Sequence, residues 1–404
     1  MSHAAAVPVR SVPYFTPGTL LLSAIALAGL GLGLWRFIAG LEATTNLDDQ
    51  FPWGLWIAVD VASGVALAAG GFTSAGLAHV LHRDKYHPVV RAALLTAMLG
   101  YTFVALGLLF DLGRYYNVWH PLIMWQGNSV LFEVGMCVIA YLTVLYLEFV
   151  PVVAERLRSS DPLPALLQAV RKPLGFVVGL ADRFVGRIMG LLIILGIVLS
   201  SMHQSSLGSL MLIAPSKVHP LWFTPVLPVF FLMSAVCVGF PMVMFESLLA
   251  SRSFRREPEM DVLTPLARFV PVLLALYLAM KGADMAIRES WRYLLPLDLP
   301  AAMFLTEVGG GIVLPLVLLL SDRVKRSPAA LFVASALVVG GVVLNRINVF
   351  LVAYTPPYAT QSYFPSIAEF GVTAGLICLL VLVYRFLVMN LPVIPAAAAK
   401  EVTR

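Results

Sequence analysis

Residues 51–71 read FPWGLWIAVDVASGVALAAGG. Apart from Asp60 nothing in this run is charged, and at about 1.5 Å of rise per residue it is long enough to cross a bilayer as a helix. An ionised side chain near the bilayer centre costs about 2.5–3.5 kcal/mol on insertion scales, so Asp60 must face protein or a wet cavity. Trp53, Trp56 and Asp60 follow at spacings of three and four, which sets two indoles and a carboxylate on one helical face. The stretch therefore raises two expectations together: a membrane span, and a span that carries chemistry.

The rest of the chain has the same character. Of 404 residues 60% are hydrophobic and 12% charged, far from the roughly 25% charged share of soluble domains. Hydropathy predicts an all-α polytopic protein with ten transmembrane helices near 18–39, 52–80, 89–112, 128–150, 184–205, 222–250, 265–285, 300–321, 329–354 and 366–389. These spans leave no room for a soluble domain of ordinary size, so catalysis is expected within the membrane or from partner subunits. The start of the chain has no apolar core ahead of a small-residue cleavage site, so the first span is expected to be retained. Alternate connecting segments, HRDKYH, ERLRSSD with VRKP, SRSFRREPE and SDRVKRS, hold most of the loop cations. The positive-inside rule then places both termini on the cytoplasmic side of the membrane. Cations spread over short membrane loops report topology and do not point to nucleic acid. Residues 155–183 read either as an amphipathic helix on that surface or as a solvated linker.

With this orientation the intramembrane charges sort by depth. Asp60, Glu133, Glu307 and Glu369 lie near the start of spans entering from outside, and Asp111, His203, Asp284 and Arg346 near the ends of spans leaving for outside. All eight fall in the outer half, whereas Glu148 and Glu246 lie near the inner mouth. Helix capping or helix-to-helix hydrogen bonding explains any one such residue. A set gathered at one depth points to a site.

The neighbours of that set suggest which chemistry. FDLGRYYNVWHP brings Asp111, Arg114 and His120 to the outer end of the third span, WQGNSVLFE adds Gln126, Asn128 and Glu133, and SSMHQSSLGSL ends the fifth span with His203 and Gln204. An apolar, indole-lined slot with a few donors and a proton-exchanging acid or imidazole is what a quinone requires. Its tail wants lipid-like surroundings, its carbonyls want donors, and its reduction takes up protons that Asp60, Glu133 and His203 are suited to pass. Trp53, Trp56, Asp111, Arg114 and Gln204 are the candidate contacts to the ring. Glu148, Glu246, Asp284, Glu307, Arg346 and Glu369 are candidates for a proton path.

Other chemistries are disfavoured. The seven histidines offer no buried pair at matching depth for an axially ligated haem, with His3 in the tail, His79, His82 and His87 on one side and His120, His203 and His219 on the other. Cys137, Cys237 and Cys378 stand alone in apolar runs without metal-ligand spacing. The chain is expected to carry no haem, no iron–sulfur cluster and no metal.

FPWGLWIAVD, YHPVVRAALL, FDLGRYYNVWH, NSVLFE, MHQSSLGSL, KVHPLW and YFPS, in this order, resemble the HybB-type membrane subunit of periplasmic nickel-iron hydrogenases, a branch of the NrfD-like polysulfide reductase membrane subunits. The resemblance runs over nearly the whole chain. It implies a first helix (18–39), a four-helix bundle (52–205), a second four-helix bundle (222–354) and a last helix (366–389). It further implies menaquinone or ubiquinone as bound substrate, and a periplasmic ferredoxin-like iron–sulfur subunit as the neighbour. That subunit would lead to a nickel-iron hydrogenase, a molybdopterin enzyme or a multihaem cytochrome c. In the family's pattern the quinone head lies by Trp53, Trp56, Asp60, Asp111, Arg114, Glu133 and His203. The competing readings are a secondary transporter, with Asp284, Glu307, Arg346 and Glu369 binding an ion or solute, and a passive anchor.

Overall fold

A computed structural model describes residues 6–9, 12–80, 83–159, 168 and 171–395. The expectations placed on His3, on His82 and on most of residues 160–170 lie outside these. Among the described residues ten helices are long and apolar enough to cross a membrane. They are α1 Pro17–Ala39, α2 Trp56–His79, α3 His87–Asp111, α4 Val130–Arg158, α5 Arg171–Ile213, α6 Leu227–Ser253, α7 Met260–Ile287, α8 Leu299–Leu320, α9 Pro328–Val352 and α10 Ile367–Asn390. The chain is a multi-pass integral membrane protein.

The helix starts follow from local chemistry. Thr16 caps α1 and Ser366 caps α10, each in a reciprocal capping box with the residue three further on. Ser129, Asp298 and Ser327 accept from the backbone N–H groups of Phe132, Ala301 and Ala330 at the starts of α4, α8 and α9. One boundary differs from the hydropathy reading: α5 begins at Arg171 and not near 184. Hydropathy marks the bilayer, whereas the hydrogen-bonded ladder continues until a breaker stops it. Pro173, in the first turn, is tolerated there. Residues 171–183 are thus the leading turns of α5, neither a separate surface helix nor a linker. Asp182 accepts from Arg158 at 2.5 Å, tying this extension to the end of α4.

Two helices form the centre. The apolar windows of α2 and α6 are 72% and 67% buried, against 22% for α1 and α5. α2 packs on α3, α6 and α9, α4 lies along α5, α6 also meets α5 and α9, and α1 lies along α10. Two crossings are set by glycine pairs. A side chain on Gly29 would start 2.6 Å from the backbone of Gly375, and one on Gly311 would start 2.4 Å from that of Gly341, so these backbones touch directly in the manner of small-residue membrane contacts.

Outside the helices, β1 (Ala6–Val7) pairs antiparallel with β2 (Ile394–Pro395), so the segments preceding α1 and following α10 lie at one face. Guanidinium groups fasten them there. Arg91 donates to the carbonyl of Pro392 at 3.0 Å, Arg256 donates to that of Pro395, and Arg385 donates to that of Pro13 at 2.6 Å. We call this the terminal face and its opposite the far face. Gly341→Leu is expected to force α8 and α9 apart, at a cost of about 1–3 kcal/mol for overpacking. Gly340→Leu, whose added side chain meets nothing within 4 Å, should be silent. Thermal denaturation of the detergent-solubilised protein checks both.

Candidate functional site

The first half of α2 is π-helical over Trp56–Ser63, a widened winding that is frequent at functional positions. It aims Trp56 and Asp60 at α10, where they meet Glu369 and Thr373, also four residues apart. The Trp56 indole N–H donates to the Glu369 carbonyl at 3.1 Å, and the Thr373 hydroxyl donates to Asp60 Oδ2 at 2.8 Å. On the α3 side Gly107 makes room for the acid: a Cβ there would lie 2.8 Å from that of Asp60. Trp53 points elsewhere, its ring 6.3 Å from that of Phe350 on α9.

Asp111, at the end of α3, lies within electrostatic reach of Asp60, Glu369 and Arg36. Arg36 reaches in from α1, donating to the carbonyls of Phe110 and Leu112 at 2.7 and 2.5 Å. Three carboxyl groups therefore gather between α2, α3 and α10, with the Arg36 guanidinium of α1 beside Asp111. Their surroundings differ. Glu369 accepts from the backbone N–H of Asn46 and Ser366 and from the Tyr363 hydroxyl, enough donors to hold a carboxylate. Burial, and then the Glu369 carboxylate, push the Tyr363 phenol well above its ordinary pKa, which keeps it a donor. Asp60 accepts one hydroxyl, and Asp111 Oδ1 is buried without a partner. Closely placed like charges in a poor dielectric do not all ionise, so Asp60 and Asp111 are the members of this cluster suited to carry a proton. Beyond them, Arg114 is exposed in the loop after α3.

A second polar group lies on another side of α2, inside the packing of α3, α4 and α5. His203 and Gln204 are fully buried. Gln204 donates to the Val65 carbonyl of α2 at 2.7 Å, while its Oε1 and both ring nitrogens of His203 have no protein partner. Tyr101 lies against His203 with ring centroids 5.7 Å apart, and Tyr141 against Tyr101 at 4.6 Å. Toward the far face, exposed Glu133 accepts from Ser206 at 2.7 Å. The outer layer thus divides around α2, with Asp60, Asp111 and Glu369 in one group and His203 and Glu133 in another.

The remaining candidates fall in other places. In the second half, Glu307 accepts from Lys281, from the Trp222 indole at 2.8 Å and from the amides of Asn345 and Asn348, each at 2.9 Å. Arg346, fully buried, donates to Asn345 at 2.5 Å and Ser234 at 2.9 Å, and stacks 3.7 Å from the centre of the Phe231 ring. Asp284 pairs with Arg288 at 2.5 Å and accepts from Thr224 at 2.7 Å. π-Helical turns follow both Glu307 and Ile347. Near the terminal face, Glu148 borders a cavity of about 210 Å³ that is also lined by His79, Arg91 and Tyr141. Glu246 borders one of about 40 Å³. Thr96 and Tyr384 are its hydroxyl neighbours.

Sequence reasoning passed over Arg36, Tyr101, Tyr141, Ser200, Lys281, Asn345 and Thr373. Lys281 and Arg36 were discoverable as cations inside or at the end of apolar runs. The hydroxyl groups carry no such signal, since a tyrosine or threonine in a span is unremarkable until its partner is known.

Comparison with known proteins follows the same outline. Residues 43–357 match the family described as "Polysulphide reductase, NrfD". A protein of Nitratidesulfovibrio vulgaris is 40% identical, over 94% of this chain and 95% of its own. The probable Ni/Fe-hydrogenase 2 b-type cytochrome subunit of Escherichia coli is 33% identical, over 89% of this chain and 88% of its own. The menaquinone reductase integral membrane subunit of Nitratidesulfovibrio vulgaris is 28% identical, over 92% and 90%.

The Lys281–Glu307 pair sets a stability test. Lys281→Met strands a buried carboxylate and is expected to cost about 3–5 kcal/mol, whereas Lys281→Met combined with Glu307→Leu should recover most of that loss. Denaturation of the purified protein, single against double variant, measures the difference.

Proposed function

The chain belongs to the polysulphide reductase NrfD family and is a membrane subunit of a respiratory oxidoreductase complex, and from this premise we propose that it exchanges electrons between an iron–sulfur partner and a membrane quinone at its far face. The observation that carries the reading is the group of buried Asp60 and Glu369 and half-buried Asp111, with Arg36 beside Asp111 and the indole of Trp56 beside Glu369. Quinone reduction takes up two electrons and two protons. A cluster with more carboxyl groups than cations, set in the membrane, is a store from which protons can be drawn. The menaquinone reductase name of one relative supports menaquinone as the quinone; ubiquinone is the alternative.

Because Trp56 and Asp60 are enclosed by α3 and α10, the ring is placed in this proposal at the mouth outside them. In this proposal half-buried Trp53, exposed Arg114 and exposed Glu133 contact the ring there. Arg114 steadies negative charge on the reduced ring, Asp60 and Asp111 supply protons from behind, and His203 with Gln204 forms a second reserve on the other side of α2. The quinone supplies the redox chemistry; the side chains of this chain bind, orient and protonate. The partner would be a periplasmic ferredoxin-like subunit docked over this mouth, with both termini in the cytoplasm.

No step is routed through a haem. The b-type cytochrome name belongs to the Escherichia coli relative. Here the His203 ring lies against Tyr101, and His79 and His87 meet edge to face with centroids 4.8 Å apart.

Asp60→Asn keeps an oxygen for the Thr373 hydroxyl but has no proton to give. We expect menaquinone turnover by the intact complex to fall at least tenfold, with the complex still co-purifying. Wild-type turnover in this variant would remove Asp60 from the mechanism. Failure of the wild-type complex to turn over any quinone would remove the reading itself, in favour of a transporter or an anchor.

A further inference from the structure

We propose that the wedge between α5 and α6 on the terminal-face side is a binding site for one anionic phospholipid, which lays an acyl chain against α2 and sets its phosphate on Arg183 and Arg187. The proposal stands apart from the quinone reading.

Near the far face α5 and α6 touch backbone to backbone. A side chain on Gly208 would start 2.8 Å from the Cα of Pro228 and 2.9 Å from the carbonyl oxygen of Leu227. Beyond that crossing, toward the terminal face, a cavity of about 290 Å³ lies between the two helices and opens outward. Phe72, Thr73, Gly76 and Leu77 of α2 form its floor, Ile197 of α5 one wall, and Val236 and Phe240 of α6 the other. Gly239 packs directly on Thr73, so α6 stays on α2 and the gap is left on the α5 side. The Thr73 hydroxyl donates to the Ala69 carbonyl at 2.9 Å within its own helix, which leaves the lining no polar group with which to hold water. An apolar cavity of this kind takes an apolar ligand. On the flank of a membrane span, that ligand is a hydrocarbon chain.

Charge selects which lipid carries the chain. On α5, Arg183, Arg187, Gly190, Ile194 and Ile197 follow at steps of four and three, so they share one helical face. Ile194 is 57% exposed, a side chain added at Gly190 would meet nothing within 4 Å, and both arginines are exposed. The strip from the arginines to the cavity is therefore uncovered. From Arg187 to Ile197 the helix rises about 15 Å, half of an apolar layer about 30 Å thick and so the depth of one leaflet.

Among the described residues no hydrogen bond or ion pair engages either guanidinium, and the adjacent carboxylate, Asp182, is taken by Arg158 at 2.5 Å. Long cationic side chains at a membrane edge ordinarily snorkel toward water. Two unpaired guanidiniums aligned with an unfilled apolar wedge match something more specific, a phosphate joined to a chain. Arginine grips phosphate oxygens through paired charge-assisted hydrogen bonds, and basic pockets between membrane helices hold anionic headgroups in this way. A zwitterionic lipid brings a cation beside its phosphate and is the poorer fit. Seated there, the lipid bridges α5 to α6 over the stretch where their own contact lapses.

The test uses the intact complex in nanodiscs of phosphatidylcholine that also carry phosphatidylglycerol with a photoreactive acyl chain, and cross-links are mapped by peptide mass spectrometry. Wild-type complex is expected to be labelled on residues 72–77 and at Ile197, and unlabelled phosphatidylglycerol should compete where added phosphatidylcholine or menaquinone does not. Arg183→Gln combined with Arg187→Gln should lower that yield about tenfold or more. Gly76→Leu should abolish it by filling the wedge, since a Cβ there meets only Ile197 Cδ1, at 3.7 Å. Arg323→Gln combined with Arg326→Gln removes the same charge from exposed positions between α8 and α9 on the same face and should leave the yield unchanged. Undiminished labelling in the Arg183 and Arg187 variant, or equal labelling by a phosphatidylcholine probe, would mean bulk lipid contact only and overturn the proposal. So would labelling that survives Gly76→Leu, or a wild-type wedge that stays unlabelled because a partner's span or a quinone tail fills it.

Discussion

In hydrocarbon there is no water to answer a charge, so every ionised or hydrogen-bonding group in these spans must be matched within the protein or left as a deliberate exception. This constraint orders the molecule. Arg346 is answered by Asn345, Ser234 and the face of Phe231, and Glu307 by Lys281, Trp222 and two asparagines. These extensively bonded groups tie together the half formed by α6 to α9. Asp60 with one donor, and Asp111 Oδ1 and the His203 ring nitrogens with none, are answered less completely.

α2 stands between the two exceptional groups. Its π-helical start turns Asp60 toward α10, while its Val65 carbonyl holds Gln204 of α5. A regular α-helix and a π-helix project successive side chains at different angles, so the widened winding changes which residues can share a face. It separates Trp53, directed at α9, from Trp56 and Asp60, directed at α10. The same helix is the most enclosed of the ten. α2 is therefore in direct contact with both the carboxyl cluster and the histidine group.

The outer pair, α1 and α10, is more than a flank. Arg36 of α1 and Thr373, Glu369 and Tyr363 in or beside α10 complete the surroundings of Asp60 and Asp111. The glycine contact between Gly29 and Gly375 holds that pair together, and the strand pairing of the terminal segments closes it at the other face.

The sequence by itself determined the class, the number of spans, nearly all of their limits and the family, because bilayer thickness and the absence of water impose long apolar runs that composition alone reveals. It also identified the buried carboxyl groups Asp60, Glu307 and Glu369, since a charge in such a run stands out whatever surrounds it. Only the tertiary structure decided which charges meet. Span-level depth placed Asp60 and His203 together, yet they belong to groups on different sides of α2, because azimuth around a helix depends on its winding and on its neighbours. Glu369 read as a membrane acid and is also the third residue of a helix cap. Lys281, Arg36 and the tyrosine and serine hydroxyls acquired meaning only from partners tens to hundreds of residues away, and no local pattern encodes a contact between helices that touch only once folded.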